Sequence, residues 1–182
     1  MAHGSVDTQF VLFPAGPADA EALAQVHVTS WRETYRGLLP DAYLARMSQE
    51  SHTRRFARLL LQPGPDDVTL AAADRRGVVG YAQGGASRRR LPGEAGVATL
   101  YLLKSAQGRG VGARLLTETA RALAARGALS LVISVLRDNV AARGFYEHLG
   151  GRAEPPRLEP GPGGAMLQEV AYRWADIRDL TG

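Results

Sequence analysis

Gln107-Gly108-Arg109-Gly110-Val111-Gly112 is the stretch on which the reading of this chain turns. A strand-like segment, Val97–Leu103, precedes it, and a helical pattern from Gly112 to Arg126 follows, closed by Gly127. Glycines at such a junction let the backbone approach an anion closely. The first N–H groups of the helix have no internal partners, and the helix dipole adds attraction. This is the chemistry of a phosphate or pyrophosphate cradle, to which Arg109 and Arg114 can add charge-assisted contacts. The bland alternative is a Gly-rich turn that binds nothing. No Lys-[Ser/Thr] pair completes a Walker A loop, so the turn does not read as a site of nucleotide triphosphate hydrolysis. Gly108-x-Gly110-x-x-Ala113 matches the dinucleotide fingerprint, but Lys104–Ala106 separates the turn from its strand. The first acid after the next strand is Asp138, well past the roughly 20 residues expected for a ribose-binding carboxylate. A nicotinamide oxidoreductase is therefore the weaker reading.

Outward from the turn, the apolar run Leu129–Leu136 reads as a buried parallel strand, and Asn139–Leu149 as a helix ended by Gly150-Gly151. Pro155–Gly164 is a Pro/Gly-rich loop, and Met166–Trp174 a last strand. Upstream, Val68–Ala73 and Val78–Gly84 flank Asp74-Arg75-Arg76-Gly77, a hairpin signal. Arg88-Arg89-Arg90 falls in the next loop. Helices are expected from Ala20, capped by Asp19, from Asp41, and from Glu50 to Leu61, the last burying Phe56, Leu59 and Leu60. Phe10–Phe13 reads as a first strand. Residues 1–8 read as a disordered N-terminal segment and 9–182 as a single domain. Strand, Gly-rich turn, helix, strand and helix after an antiparallel hairpin make a mixed sheet flanked by helices, in the α/β or α+β class.

Composition narrows the function. The 182 residues are 45% hydrophobic and 22% charged, as in globular domains. Lys+Arg 22 against Asp+Glu 18 leaves +4, spread along the chain, which makes no case for nucleic acid. There is no cysteine, so disulfides, zinc–thiolate sites and thiol nucleophiles are excluded. The histidines His3, His27, His52 and His148 have no metal-ligand spacing, and no metal is expected. No apolar run spans a bilayer, and the start of the chain lacks a secretory pattern, so the expected location is the cytoplasm, with no membrane partner.

Two segments together resemble a family. Gln107-x-x-Gly110-x-Gly112 matches the [Q/R]xxGx[G/A] signature of the GCN5-related N-acetyltransferases (GNAT). Asn139-x-x-Ala142-x-x-Phe145-Tyr146-Glu147-x-Leu149-Gly150 resembles that family's second signature, at the right distance. Thr99–Leu102 looks like the strand before the cradle. Ser30–Gly37 looks like a segment common in small-molecule or uncharacterised members. The resemblance covers roughly Phe10 to Asp176. It implies a mostly antiparallel sheet with a parallel βαβ unit around a cofactor cleft, and direct acetyl transfer from acetyl-CoA to a primary amine. It further implies that Gln107, Gly108, Arg109, Gly110, Val111 and Gly112 hold the pyrophosphate. Leu100, Tyr101 and Leu102 would line the pantetheine, with an N–H near Leu102 polarising the thioester. Tyr146 would bind the cofactor and protonate the leaving thiolate, and Asn139 would hydrogen-bond the cofactor. Tyr146 as a core aromatic and Asn139 as a plain helix cap are the bland alternatives. A homodimer is expected by the same analogy and from the apolar last strand.

The resemblance fails at the general base. Where relatives carry a Glu on the strand before the cradle, this chain has Gly96 and Ala98. Glu94 is the nearest acid and by alternation faces the same side. Glu33 and Tyr35 are further candidates, and water could serve instead. Trp31 and Tyr35, at i and i+4, could line an acceptor pocket or simply pack. Arg88–Arg90 reads as a solvated loop or as a contact for the cofactor's 3′-phosphate or an acidic acceptor. The missing Glu also keeps open a non-catalytic CoA-binding or regulatory module on the same fold.

Overall fold

The structure is a computed structural model and describes residues 9–182. The segment 1–8, expected to be disordered, lies outside the described residues. The strands are β1 (Val11–Pro14), β2 (Val68–Asp74), β3 (Gly77–Ala86), β4 (Glu94–Leu102), β5 (Ser130–Leu136), β6 (Arg152–Ala153), β7 (Arg157–Pro160) and β8 (Met166–Trp174). The helices are α1 (Ala20–Thr34), α2 (Asp41–Ala45), α3 (Gln49–Leu61), α4 (Val111–Ala124), α5 (Val140–His148) and α6 (Arg178–Thr181). The strands form one sheet in the order β1-β2-β3-β4-β5-β8-β6, with β7 also paired to β8. Every pairing is antiparallel except β4 with β5.

Each face of the sheet is covered by helices whose apolar spacing matches it. On one side α4 presents Leu116, Ala120 and Leu123 to Ala95, Val97, Leu131 and Ile133, and α5 adds Tyr146 against Tyr172 and Trp174. On the other side α1 and α3 pack Leu23, Ala24 and Phe56 on Ala71 and Tyr81. Gly151 shows how tightly α5 is followed by β6. A Cβ there would lie 2.8 Å from the Trp174 ring and 2.9 Å from the Tyr146 carbonyl. The indole Nε1 donates to Leu149 O at 2.8 Å.

Several local expectations are corrected. Asp19 does not cap α1 with its side chain; its Oδ2 accepts from Gly16 N–H at 2.8 Å and closes the preceding turn. Leu59 is 40% exposed, and Phe56 is the fully buried residue of α3. β4 begins at Glu94, three residues earlier than expected, because the chain pairs with β5 from that point. The run Leu129–Leu136 is not buried on both faces. Leu129 is 71% exposed and outside β5, and within β5 only Leu131, Ile133 and Val135 are buried. The other face of β5 borders a cavity.

Candidate active site

Two features of β4 open the sheet. Val97 pairs with Gly84 and Thr99 with Gln83, so Ala98 is an unpaired extra residue, a bulge that bends the strand. Pairing with β5 stops at Val97↔Ile133, although β4 continues to Leu102 and β5 to Leu136. The two strands part there. Leu103 N–H donates to Val79 O, so by antiparallel alternation Tyr101 also bonds to β3, while Leu100 and Leu102 turn their backbone groups to the gap. Gln107 Nε2 donates to Leu102 O at 3.0 Å, on that open side. Leu100 and Leu102 front this gap with their backbone groups. Tyr101 does not front it. Its backbone belongs to the β3 ladder, and its side chain packs toward α1 and meets the Tyr35 hydroxyl at 3.0 Å.

The glycine turn stands at the end of this gap. Gly108 and Gly110 have φ of +70° and +75°, a region costly for residues with a Cβ. A Cβ on either would project into open space, so the turn presents bare backbone outward. Gly110 is the N-cap of α4, and the N–H groups of Val111, Gly112 and Ala113 have no acceptor within the helix. The turn therefore fits a pyrophosphate. The Val111 side chain itself is core. Gly112 lets α4 approach β4 and α5, since a Cβ would lie 3.1 Å from Leu102 and 3.4 Å from Phe145. Arg109 stacks on Phe10 at 4.6 Å and bonds Gln9, and Arg114 donates to Phe10 O at 3.3 Å. Both arginines lean toward β1.

Tyr146 lies on α5 and is buried. Its ring is buried between Phe145, Tyr172 and Trp174, yet its hydroxyl takes no hydrogen bond among the described residues. Burial, helped by Tyr35, raises its phenol above the usual range, so the group keeps its proton. Asn139 caps α5, with Oδ1 accepting from Ala142 N–H at 3.2 Å. Burial also raises Tyr35 and Tyr101, and the neighbouring Tyr35 and Tyr146 raise Tyr101 further. Tyr35 at the end of α1, Tyr101 on β4 and Tyr146 on α5 thus lie close enough to act on one another.

Sequence reasoning missed the polar cluster beneath them. His27 Nδ1 and the Tyr81 hydroxyl share a hydrogen bond of 2.6 Å, and the His52 ring lies 4.5 Å from His27. Burial, with His52 and Arg55 nearby, pushes His27 down to about 3, so it is neutral. The signal was available: His27 and Trp31 share a helix face at i, i+4 with Leu23.

On the α1/α3 side a cavity of about 900 Å³ opens over β3, β4, β5 and β8. Its floor includes Gly96, Ala98, Ser134 and Ala171, and Glu94 and Glu169 line it. Trp31 and Tyr35 do not. They pack edge to face at 4.9 Å with Leu39, Leu44 and Met47 nearby. Glu94 is buried and paired with Arg173. Burial alone would raise its carboxyl, but Ser87 and Arg173 outweigh that and hold it below its usual value. Glu33 is exposed on α1. The Arg88–Arg90 loop is not simply solvated: Arg88 pairs with Glu169 at 3.0 Å and Arg89 with Glu154 at 2.7 Å, drawing it over the cavity toward β8. Among the described residues no three His, Asp or Glu side chains gather to hold a metal, and no helix is long and apolar enough to cross a membrane.

A bulged β4 splayed from a parallel β5, with a glycine turn at the gap, is the arrangement that the resemblance to the N-acetyltransferases implies, and the comparisons with known proteins point to the same family. The family model described as "Acetyltransferase (GNAT) family" matches residues 27–151. An uncharacterized N-acetyltransferase, YuaI of Bacillus subtilis, is 28% identical over 163 residues, 89% of this chain and 91% of the relative. The PaiA N-acetyltransferase of Thermoplasma acidophilum, solved with coenzyme A, superposes with a TM-score of 0.66 at 21% identity, covering 91% of this chain and 99% of that one. YncA of Salmonella typhimurium, a putative acetyltransferase solved with acetyl-CoA, gives 0.70 at 18% identity, covering 93% and 95%. The chain belongs to the GNAT acetyltransferase family.

Proposed function

We propose that this protein moves an acetyl group from acetyl-CoA to a primary amine by direct attack in a ternary complex. The observation that carries the reading is the gap itself. It has backbone groups of Leu100 and Leu102 along one edge, the open glycine turn at its end, and the unbonded Tyr146 hydroxyl beside it. Acetyl-CoA, as co-substrate, supplies the activated acyl group. In this reading the α4 N-terminus and the Gly108–Gly110 backbone hold the pyrophosphate, and the N–H of Leu102 steadies charge on the thioester oxygen. Tyr146, kept protonated by its surroundings, gives its proton to the departing sulfur. Asn139 supports the site by fixing the start of α5.

The absence of a carboxylate at Gly96 and Ala98 favours a second reading, a CoA-binding module without turnover. Two measurements separate them. Acetyl-CoA should raise the melting temperature while NAD(P)H does not, since a specific ligand stabilises by mass action. Acetyl-CoA consumption with a panel of primary amines then distinguishes an enzyme from a binding module. Stabilisation by the nicotinamide nucleotide alone would refute both.

A further inference from the structure

We propose that Glu169, on β8, takes the proton from the acceptor amine; this rests on the acetyl-transfer reading above. The missing β4 carboxylate leaves the role open, and the cavity offers a replacement from another strand. In that reading the reacting carbonyl lies between Leu100–Leu102 and Ser134–Leu136. β8 is the next strand beyond β5, and Glu169 is the register partner of Leu136, about 5 Å away across the sheet. Along β8, Val170, Tyr172 and Trp174 are buried against α5, so Glu169, Ala171 and Arg173 face the other side. That side is the cavity, which Glu169 lines with Ser134 and Ala171.

The other carboxylates of the cavity are placed less well. Glu94 stands where β4 and β5 are still paired, about 20 Å of strand from Leu100, and Arg173 already engages it. Asp67 accepts from Gly64 N–H at 2.8 Å at the leading end of β2. Glu159 sits on β7, one strand farther from the gap than β8. Among the described residues Glu169 has one ion pair, to an Arg88 side chain that is 75% exposed, and such a pair is weak and easily released. The charge of Glu169 also reaches Tyr35, whose hydroxyl bonds Tyr101. Glu169 and Tyr146 therefore lie on opposite faces of the sheet, both on the β5/β8 side of the gap. Gly96 and Ala98 leave the cavity floor free for an acceptor.

The protons balance across the two groups. The neutral amine nitrogen attacks the thioester carbon and forms the C–N bond. The nitrogen then loses one proton to the Glu169 carboxylate. The C–S bond breaks, and the sulfur takes a proton from Tyr146. Exchange with solvent returns the proton held by Glu169 to the tyrosine, and nothing is left over.

Glu169→Gln keeps the shape and removes the base. With the wild type turning over at least one of spermidine, free amino acids, an aminoglycoside or a short peptide, the variant should lose about 10²–10³-fold in kcat/KM near neutral pH. Its rate should climb with hydroxide more steeply than that of the wild type. CoA affinity by calorimetry and the melting temperature should hold, and Glu169→Asp should recover part of the rate. A wild-type rate and pH profile in Glu169→Gln would overturn the assignment while leaving acetyl transfer standing. A wild type that binds CoA but acetylates none of the amines would overturn the acetyl-transfer reading, and this one with it.

Discussion

In the proposed reaction Tyr146 divides into two parts with different jobs. The ring fills space beside Phe145 and Trp174, and the hydroxyl is left without a partner. Tyr146→Phe keeps the first and removes the second. Turnover should fall about 10²–10⁴-fold, in kcat and kcat/KM together, because the proton is given only in the transition state. Acetyl-CoA binding and melting temperature should change little. Retained kcat on a preparation of unchanged melting temperature would remove this hydroxyl from the mechanism. Asn139 is a contrasting residue. Its oxygen is already used as a helix cap, so its replacement by Ala is a matter of about 1 kcal/mol of stability before any effect on ligand.

At the scale of elements, the site is made by two ends. The bulge at Ala98 releases β4 from β5, and the N-terminus of α4 stands where the released strand ends. Gly110→Glu should abolish CoA binding in calorimetry, because its carboxylate would enter the open space of the turn and repel a pyrophosphate. The positive φ adds a cost of roughly 1–2 kcal/mol in stability. Gly110→Ala shares that backbone cost without the charge, so it should fold comparably and bind CoA better than the Glu variant. Equal affinity of both variants would show that the turn does not meet the anion.

At the scale of the whole molecule, the α1–α3 layer carries a buried histidine that links stability to pH. His27 is held near 3 in the folded state against 6.5 for a free side chain. Between these values the unfolded chain binds more protons, so stability is complete above about pH 6.5 and falls as the pH drops toward 3. This one group sets a slope of up to about 1.4 kcal/mol per pH unit. Urea unfolding at pH 7.5, 6 and 5 measures it, with His27→Gln as the comparison. The wild type should lose midpoint concentration below pH 6.5 more steeply than the variant, and parallel profiles would show that His27 is not the source.

Much of this protein was legible along the chain. The glycine turn, the helix it opens, the Asn139–Gly150 segment and the hairpin are local, set by backbone freedom and short apolar periods, and each lies where its residues require. Glu94, by contrast, looked like the nearest free acid. Arg173, 79 residues away, turned it into half of an ion pair. Glu169 carried no signal of its own, because its place beside Leu136 depends on how β8 returns to pair with β5. The same non-local pairing decided that β5 is covered on one face only, and that Tyr101 turns away from the gap it was expected to line. Sequence by itself determined the elements, the glycine turn and the place of Tyr146 on its helix, whose geometry is carried within a few residues. Only the tertiary structure decided which charges cancel and which remain, because strand register joins residues that the chain keeps far apart.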